Sequence, residues 1–267
     1  MGTSGAYGGS PGWKPVRDQT QEWLSTGAAG SGGGGNGPPP PVIPPTPPPD
    51  TGGARLLTPR PPSISPALAR IISSLGAALT SGSGSGRGTG GGLTGGGRST
   101  GRASAVGGRA LGGAYGARTG NAATLGELGL DLRELAGISR YQQAQRILDA
   151  AIGPRGDVLE SELRTTNASV VLWALTEEVE PTPVELANRW VVEYVWQVWI
   201  TESGPVLQEQ SADGNDRVRA EQEMRAALEA TVSAHALPEG RPLTTADFTA
   251  AIDSALGSLR RVSGSAA

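Results

Sequence analysis

Residues 182–203 read TPVELANRWVVEYVWQVWITES, and this stretch decides the fold class. Leu186, Trp190, Val191, Tyr194, Val195, Val198 and Trp199 recur at i, i+4, i+5, i+8, i+9, i+12 and i+13. That is the period of a helix, and a stripe this wide belongs in a core. Thr182 is placed to cap the helix, Pro183 to fill its first turn and Glu185 to complete a capping box. The aromatics on the stripe are read as core rather than as a platform for stacking a base or cofactor.

Working outward, the neighbouring segments carry the same period. Residues 216–236 place Val218, Met224, Leu228 and Val232 inward. Residues 244–259 open on a second capping-box pattern and point Phe248, Ile252, Leu256 and Leu259 inward. Upstream, residues 167–179 and 157–163 read as two helices. Residues 139–152 read as another, capped by Ser139 and stopped by Gly153-Pro154, with Tyr141, Ala144, Ile147, Leu148 and Ala151 facing the core. Leu125, Leu128, Leu132 and Leu135 line one further face. No convincing period-two run occurs, so the expected fold class is an all-α C-terminal helical domain, residues 125–267.

Before Leu125 the composition changes. Of the 42 glycines 32 precede it, and 15 of the 21 prolines fall at or before Pro66. Such a chain buries too little apolar surface to offset the entropy of ordering, so a long disordered Gly/Pro-rich N-terminal arm is expected over residues 1–62. Within it, residues 12–27, GWKPVRDQTQEWLSTG, form an island whose Trp13 and Trp23 are expected to dock on a partner protein, with folding back onto the helical domain the less favoured reading. The run PPPPVIPPTPPP, residues 38–49, reads as a stiff spacer; a groove that binds polyproline is the less favoured role. Residues 63–80 predict a short amphipathic helix: Ser65 caps it, Pro66 begins it, and Leu68, Ile71, Ile72, Leu75 and Leu79 make one stripe. Residues 81–124 read as a Gly/Arg-rich flexible segment.

Charge divides at the same boundary. Residues 1–124 carry +7 and residues 125–267 carry −10, against −3 for the whole chain. Five arginines and no acid lie between Arg87 and Arg118, which makes a nucleic-acid-binding scaffold the alternative function.

Catalytic chemistry finds little purchase. With no cysteine, disulfides, thiolate catalysis and Cys-based zinc sites are excluded. The single histidine, His235, forms no metal site alone. The Gly-rich run lacks the strand–loop–helix order and the lysine of a phosphate loop. No enzyme activity, cofactor or metal is expected. The opening MGTSGAYGGS has neither a basic nor an apolar leader region, and no stretch approaches a membrane span, so a cytoplasmic location is expected.

Gly2 is small enough for Met1 to be removed, and Ala6 stands where N-myristoylation requires Ser or Thr. The chain resembles the QatB family of bacterial Qat anti-phage systems. The resemblance rests on MGTSGAYGGS, the Trp-containing island, the Pro/Gly linker, the run GRALGGAYGARTG (residues 108–120) and the helical C-terminal region. It covers the order of segments across the chain, and its sharpest parts are the first ten residues and the Gly/Arg run. It implies a non-catalytic accessory protein that works beside a QueC-like enzyme (QatC-like), a P-loop ATPase (QatA-like) and a TatD-like nuclease (QatD-like). It also implies that Gly2 is the acceptor of a 7-deazaguanine group.

Overall fold

The computed structural model describes residues 11–26, 64–81, 100–153, 158–210, 214–235, 237–238 and 241–261. A 3-10 turn, Pro11–Trp13, leads into ten α-helices: α1 (Lys14–Ser25), α2 (Pro66–Ser81), α3 (Thr100–Thr119), α4 (Ala122–Glu127), α5 (Leu132–Ala136), α6 (Arg140–Ile152), α7 (Val158–Thr176), α8 (Pro183–Gln210), α9 (Gly214–Thr231) and α10 (Thr245–Arg261). Among the described residues there is no strand.

The capping box at the start of α8 forms as the sequence predicts. Thr182 donates from N and Oγ1 to Glu185 Oε2, at 2.7 and 2.8 Å, and Glu185 N donates back to Thr182 Oγ1 at 3.2 Å. All seven residues of the stripe are buried. The helix runs seven residues past 203, through Pro205. That proline removes one backbone donor, yet burial of Ser203 and Leu207 keeps the following turn on the core. Trp190 and Tyr194 stack with centroids 5.0 Å apart, and Trp190 Nε1 donates to the buried Asn167 Oδ1 at 2.8 Å.

Asn167 also corrects the expected break before it. The residues after Asp157 and those after Asn167 belong to one helix, α7. The Asn167 amide donates to Leu163 O one turn back and accepts from Trp190, so it serves a buried contact in the middle of the helix. Two other expectations shift by register. Tyr141 is 63% exposed at the first turn of α6, and Gln143 is buried instead, donating to Leu135 O and Ile138 O. Val218 is 52% exposed because its six-residue offset from Met224 turns it about 120° around α9, off the buried face. Residues 125–135 split into α4 and α5 at Gly129 (φ +69°), after which Asp131 caps α5 by accepting from Arg133 N.

The largest correction falls on residues 81–124. Of these, Thr100–Thr119 is a helix, α3, and it packs against α10, α7, α6, α4 and α8. Ala103, Val106, Ala110, Leu111 and Ala114 are buried, and so are the glycines between them. The glycines make close approach possible. A Cβ on Gly107 would sit 2.6 Å from the Trp190 indole, and one on Gly108 would sit 2.7 Å from the backbone nitrogen of Thr249 on α10. Gly costs a helix about 1 kcal/mol against Ala. Here contact between backbones and the Trp190 ring compensates.

The helical body therefore begins well before residue 125. Its core joins Trp13, Val16 and Trp23 of the N-terminal island, the α2 stripe, α3 and the C-terminal helices in one cluster. The disorder expected for residues 1–62 does not extend to residues 14–25, which are helical. The rest of that arm, apart from residues 11–13 and 26, lies outside the described residues, as do residues 82–99.

Candidate functional site

Two features position chemistry on this body: the anchor of the N-terminal island and a groove between α7, α8 and α9. In the island, Trp13, Val16, Thr20 and Trp23 fall at i, i+3, i+7 and i+10, one face of a helix, and all four are buried. Trp199 Nε1 donates to Thr20 Oγ1 at 3.2 Å. Arg17 Nη1 lies 3.3 Å from Glu202 Oε2, with the Glu202 side chain 1% exposed. The expectation that Trp13 and Trp23 dock on a partner protein is corrected: both are buried in the core of their own chain, where α1 packs against α2 and α8.

Gly2 lies outside the described residues. Trp13 is eleven residues further on, and an extended chain advances at most about 3.6 Å per residue. The Gly2 amine is therefore confined to within about 40 Å of the Trp13 anchor.

One arginine of the Gly/Arg segment is committed in the same way. Arg118 donates to the carbonyls of Leu175, at 3.2 Å, Glu177 and Glu178, and so closes the C-terminal end of α7. A side chain satisfying helix-end carbonyls is no longer presented to a phosphate backbone. Arg102 and Arg109 lie on exposed positions of α3, and Arg87 and Arg98 lie outside the described residues.

The groove has a volume of about 510 Å³. Its floor is Val192 of α8 and Val232, its walls are Trp173 of α7 and Arg189 of α8, and Arg225 of α9 closes one side. The Arg189 guanidinium carbon lies 4.4 Å from the Trp173 ring centroid, and that of Arg225 lies 5.4 Å from the Trp196 ring. Arg225 pairs with the largely buried Glu193 and lies 3.5 Å from Glu229. Glu185, at the groove's edge, has its carboxyl pulled below the usual range by the hydrogen bonds from Thr182.

Among the described residues, no group of three or more His, Cys, Asp or Glu side chains is placed to hold a metal ion. His235 is exposed, and its backbone nitrogen donates to Ser254 Oγ. Among the described helices none is long and apolar enough to cross a membrane. What the fold and these features define is an all-helical body with an anchored N-terminal helix and an open groove. No protein-family model, curated protein or solved structure matches the chain.

Proposed function

We propose that this chain is a non-catalytic accessory protein of a bacterial anti-phage defence system, active in the cytoplasm. Its helical body holds the N-terminal arm while a QueC-like enzyme conjugates a 7-deazaguanine group to Gly2. The observation that carries the reading is the anchor: α1 is fixed to α2 and α8 by Trp13, Trp23 and the Thr20–Trp199 bond, eleven residues after Gly2. An arm tethered so close to its terminus offers an amine to a partner's active site without detaching from the body that the partner recognises.

The chemistry suits an α-amine. A QueC-like ligase activates a carboxyl group with ATP as the acyl-adenylate, releasing pyrophosphate. The neutral amine attacks the acyl carbon, the amide bond forms, AMP leaves and the nitrogen gives up one proton. An α-amine with a pKa near 8 keeps a useful neutral fraction at cellular pH, and a lysine near 10.4 does not. Lys14 is the only lysine in the chain. The resemblance in the first ten residues supplies the partner, with the ATPase and the TatD-like nuclease as further members of the system.

The nucleic-acid scaffold is the weaker reading, because Arg118 and the glycines of α3 are engaged within the fold. A Gly2→Lys variant, which retains Met1, tests the proposal. Expected is complete loss of phage protection in cells carrying the whole system, with the circular dichroism of the purified variant unchanged. Full protection by that variant would overturn it.

A further inference from the structure

The groove between α7, α8 and α9 has its carboxylates engaged, and among its lining side chains the Arg189 guanidinium makes no hydrogen bond to a side chain or carbonyl of the described residues. Glu185 accepts from Thr182 at the start of α8, Glu193 accepts from Arg225, and Glu229 lies 3.5 Å from Arg225. Arg189 has no such bond. It forms a long ion pair with Glu193, at 4.0 Å, beyond hydrogen-bond reach. Its Nε is buried, and among the described residues no acceptor meets it. The side chain as a whole is 41% exposed, so the guanidinium is open to solvent while Trp173 holds one face. Asn188 uses Oδ1 to accept from Ala234 N at 2.7 Å, and its amide hydrogens find no acceptor among the described residues.

Such a wall selects an anionic, planar acceptor. A guanidinium matches a carboxylate through two parallel N–H···O bonds, and stacking on an indole fixes its plane in advance. The anion's charge is limited by the surroundings. Glu185, Glu193 and Glu229 all lie near Arg189 and Arg225, so each further charge on a ligand adds repulsion, and a singly charged carboxylate is favoured over a phosphate dianion or a polyanion. Beside Arg189 the surface is apolar: Val192 and Val232 are buried at the floor, and Trp173 is half-buried. A volume of about 510 Å³ accommodates a few residues of extended chain.

We propose that this groove docks an extended peptide of a partner protein, with one acidic side chain on Arg189 and Asn188 and a neighbouring aliphatic residue against Trp173, Val192 and Val232. This does not depend on the Gly2 reading, and its test reads no modification. The full chain, labelled at the arginine and tryptophan side-chain nitrogens, is titrated with N-acetyl-Val-Glu-Val-amide and, in parallel, with the Gln counterpart. The Arg189 Nε–H and Trp173 indole signals are expected to shift saturably with the Glu peptide, and at least about tenfold more weakly with the Gln peptide. Arg189→Gln is expected to abolish that preference with the Trp190 and Trp199 indole signals unmoved. Arg189→Lys, which keeps the charge without the fork, is expected to retain part of it. Equal responses to the two peptides, no response to either, or a preference that survives Arg189→Gln would overturn the proposal. So would inorganic phosphate shifting the same signals more strongly than the Glu peptide.

Discussion

Asp247 shows how much a single side chain does at a helix start. It accepts from Thr244 N and Thr244 Oγ1, each at 2.8 Å, and from Arg241 Nη1 at 2.8 Å. The Arg241 bond is the largest cause that pulls its carboxyl down to about 2, with the Thr244 bonds adding to it against the cost of burial. Because the folded value lies below the unfolded one, the stabilisation is present above about pH 4 and fades as pH falls towards 2. Asp247→Asn is therefore expected to cost about 1 kcal/mol near neutral pH, and its difference from wild type should vanish in acid. Urea unfolding at a series of pH values measures this, and a cost that grows with acidity would contradict it. The capping boxes at Ser139, Thr182 and Thr244 are legible in the sequence because the whole motif lies within four residues. Asn167 is not. Its partner Trp190 lies 23 positions away, beyond the reach of any local pattern.

At the scale of the element, the sequence separates two kinds of helix. α2, α8 and α10 bury long aliphatic and aromatic side chains, and their apolar spacing alone predicts them. α3 buries small residues, so its spacing carries almost no hydrophobic contrast and its glycines read as coil. What makes it a helix is the surface it meets: the Trp190 indole on one side, and Thr245 and Thr249 of α10 on the other. The Trp island was misread for a related reason. Its stripe is real, but whether it covers a partner or its own chain depends on α2 and α8, which no local pattern reveals. Replacing Gly257, in α10 with open space where a Cβ would go, by Ala is expected to stabilise by about 1 kcal/mol through helix propensity. Gly108→Ala makes the same local change in α3 but forces the Thr249 backbone away, and is expected to lower the melting temperature. If both substitutions stabilise equally, α3 does not pack against α10 as described.

For the whole molecule, the groove and the N-terminal anchor lie on α8, towards its two ends. Glu185, Asn188, Arg189 and Val192 line the groove in the first half, and Trp199 and Glu202 hold α1 in the second. One long helix thus fixes the place where the arm leaves and the place where an acidic peptide is proposed to dock. The charge asymmetry, legible at once, is met in the fold at Arg17, which pairs with Glu202 of α8, while Arg118 serves the backbone carbonyls at the end of α7. The most direct measurement of the central claim is the mass of the chain purified from cells that co-express the QueC-like enzyme, followed by fragmentation of its N-terminal peptide. The account predicts that Met1 is absent and that the added mass sits on the Gly2 amine, with no adduct when the enzyme is left out. An unmodified Gly2 in cells that resist phage through this system would contradict it.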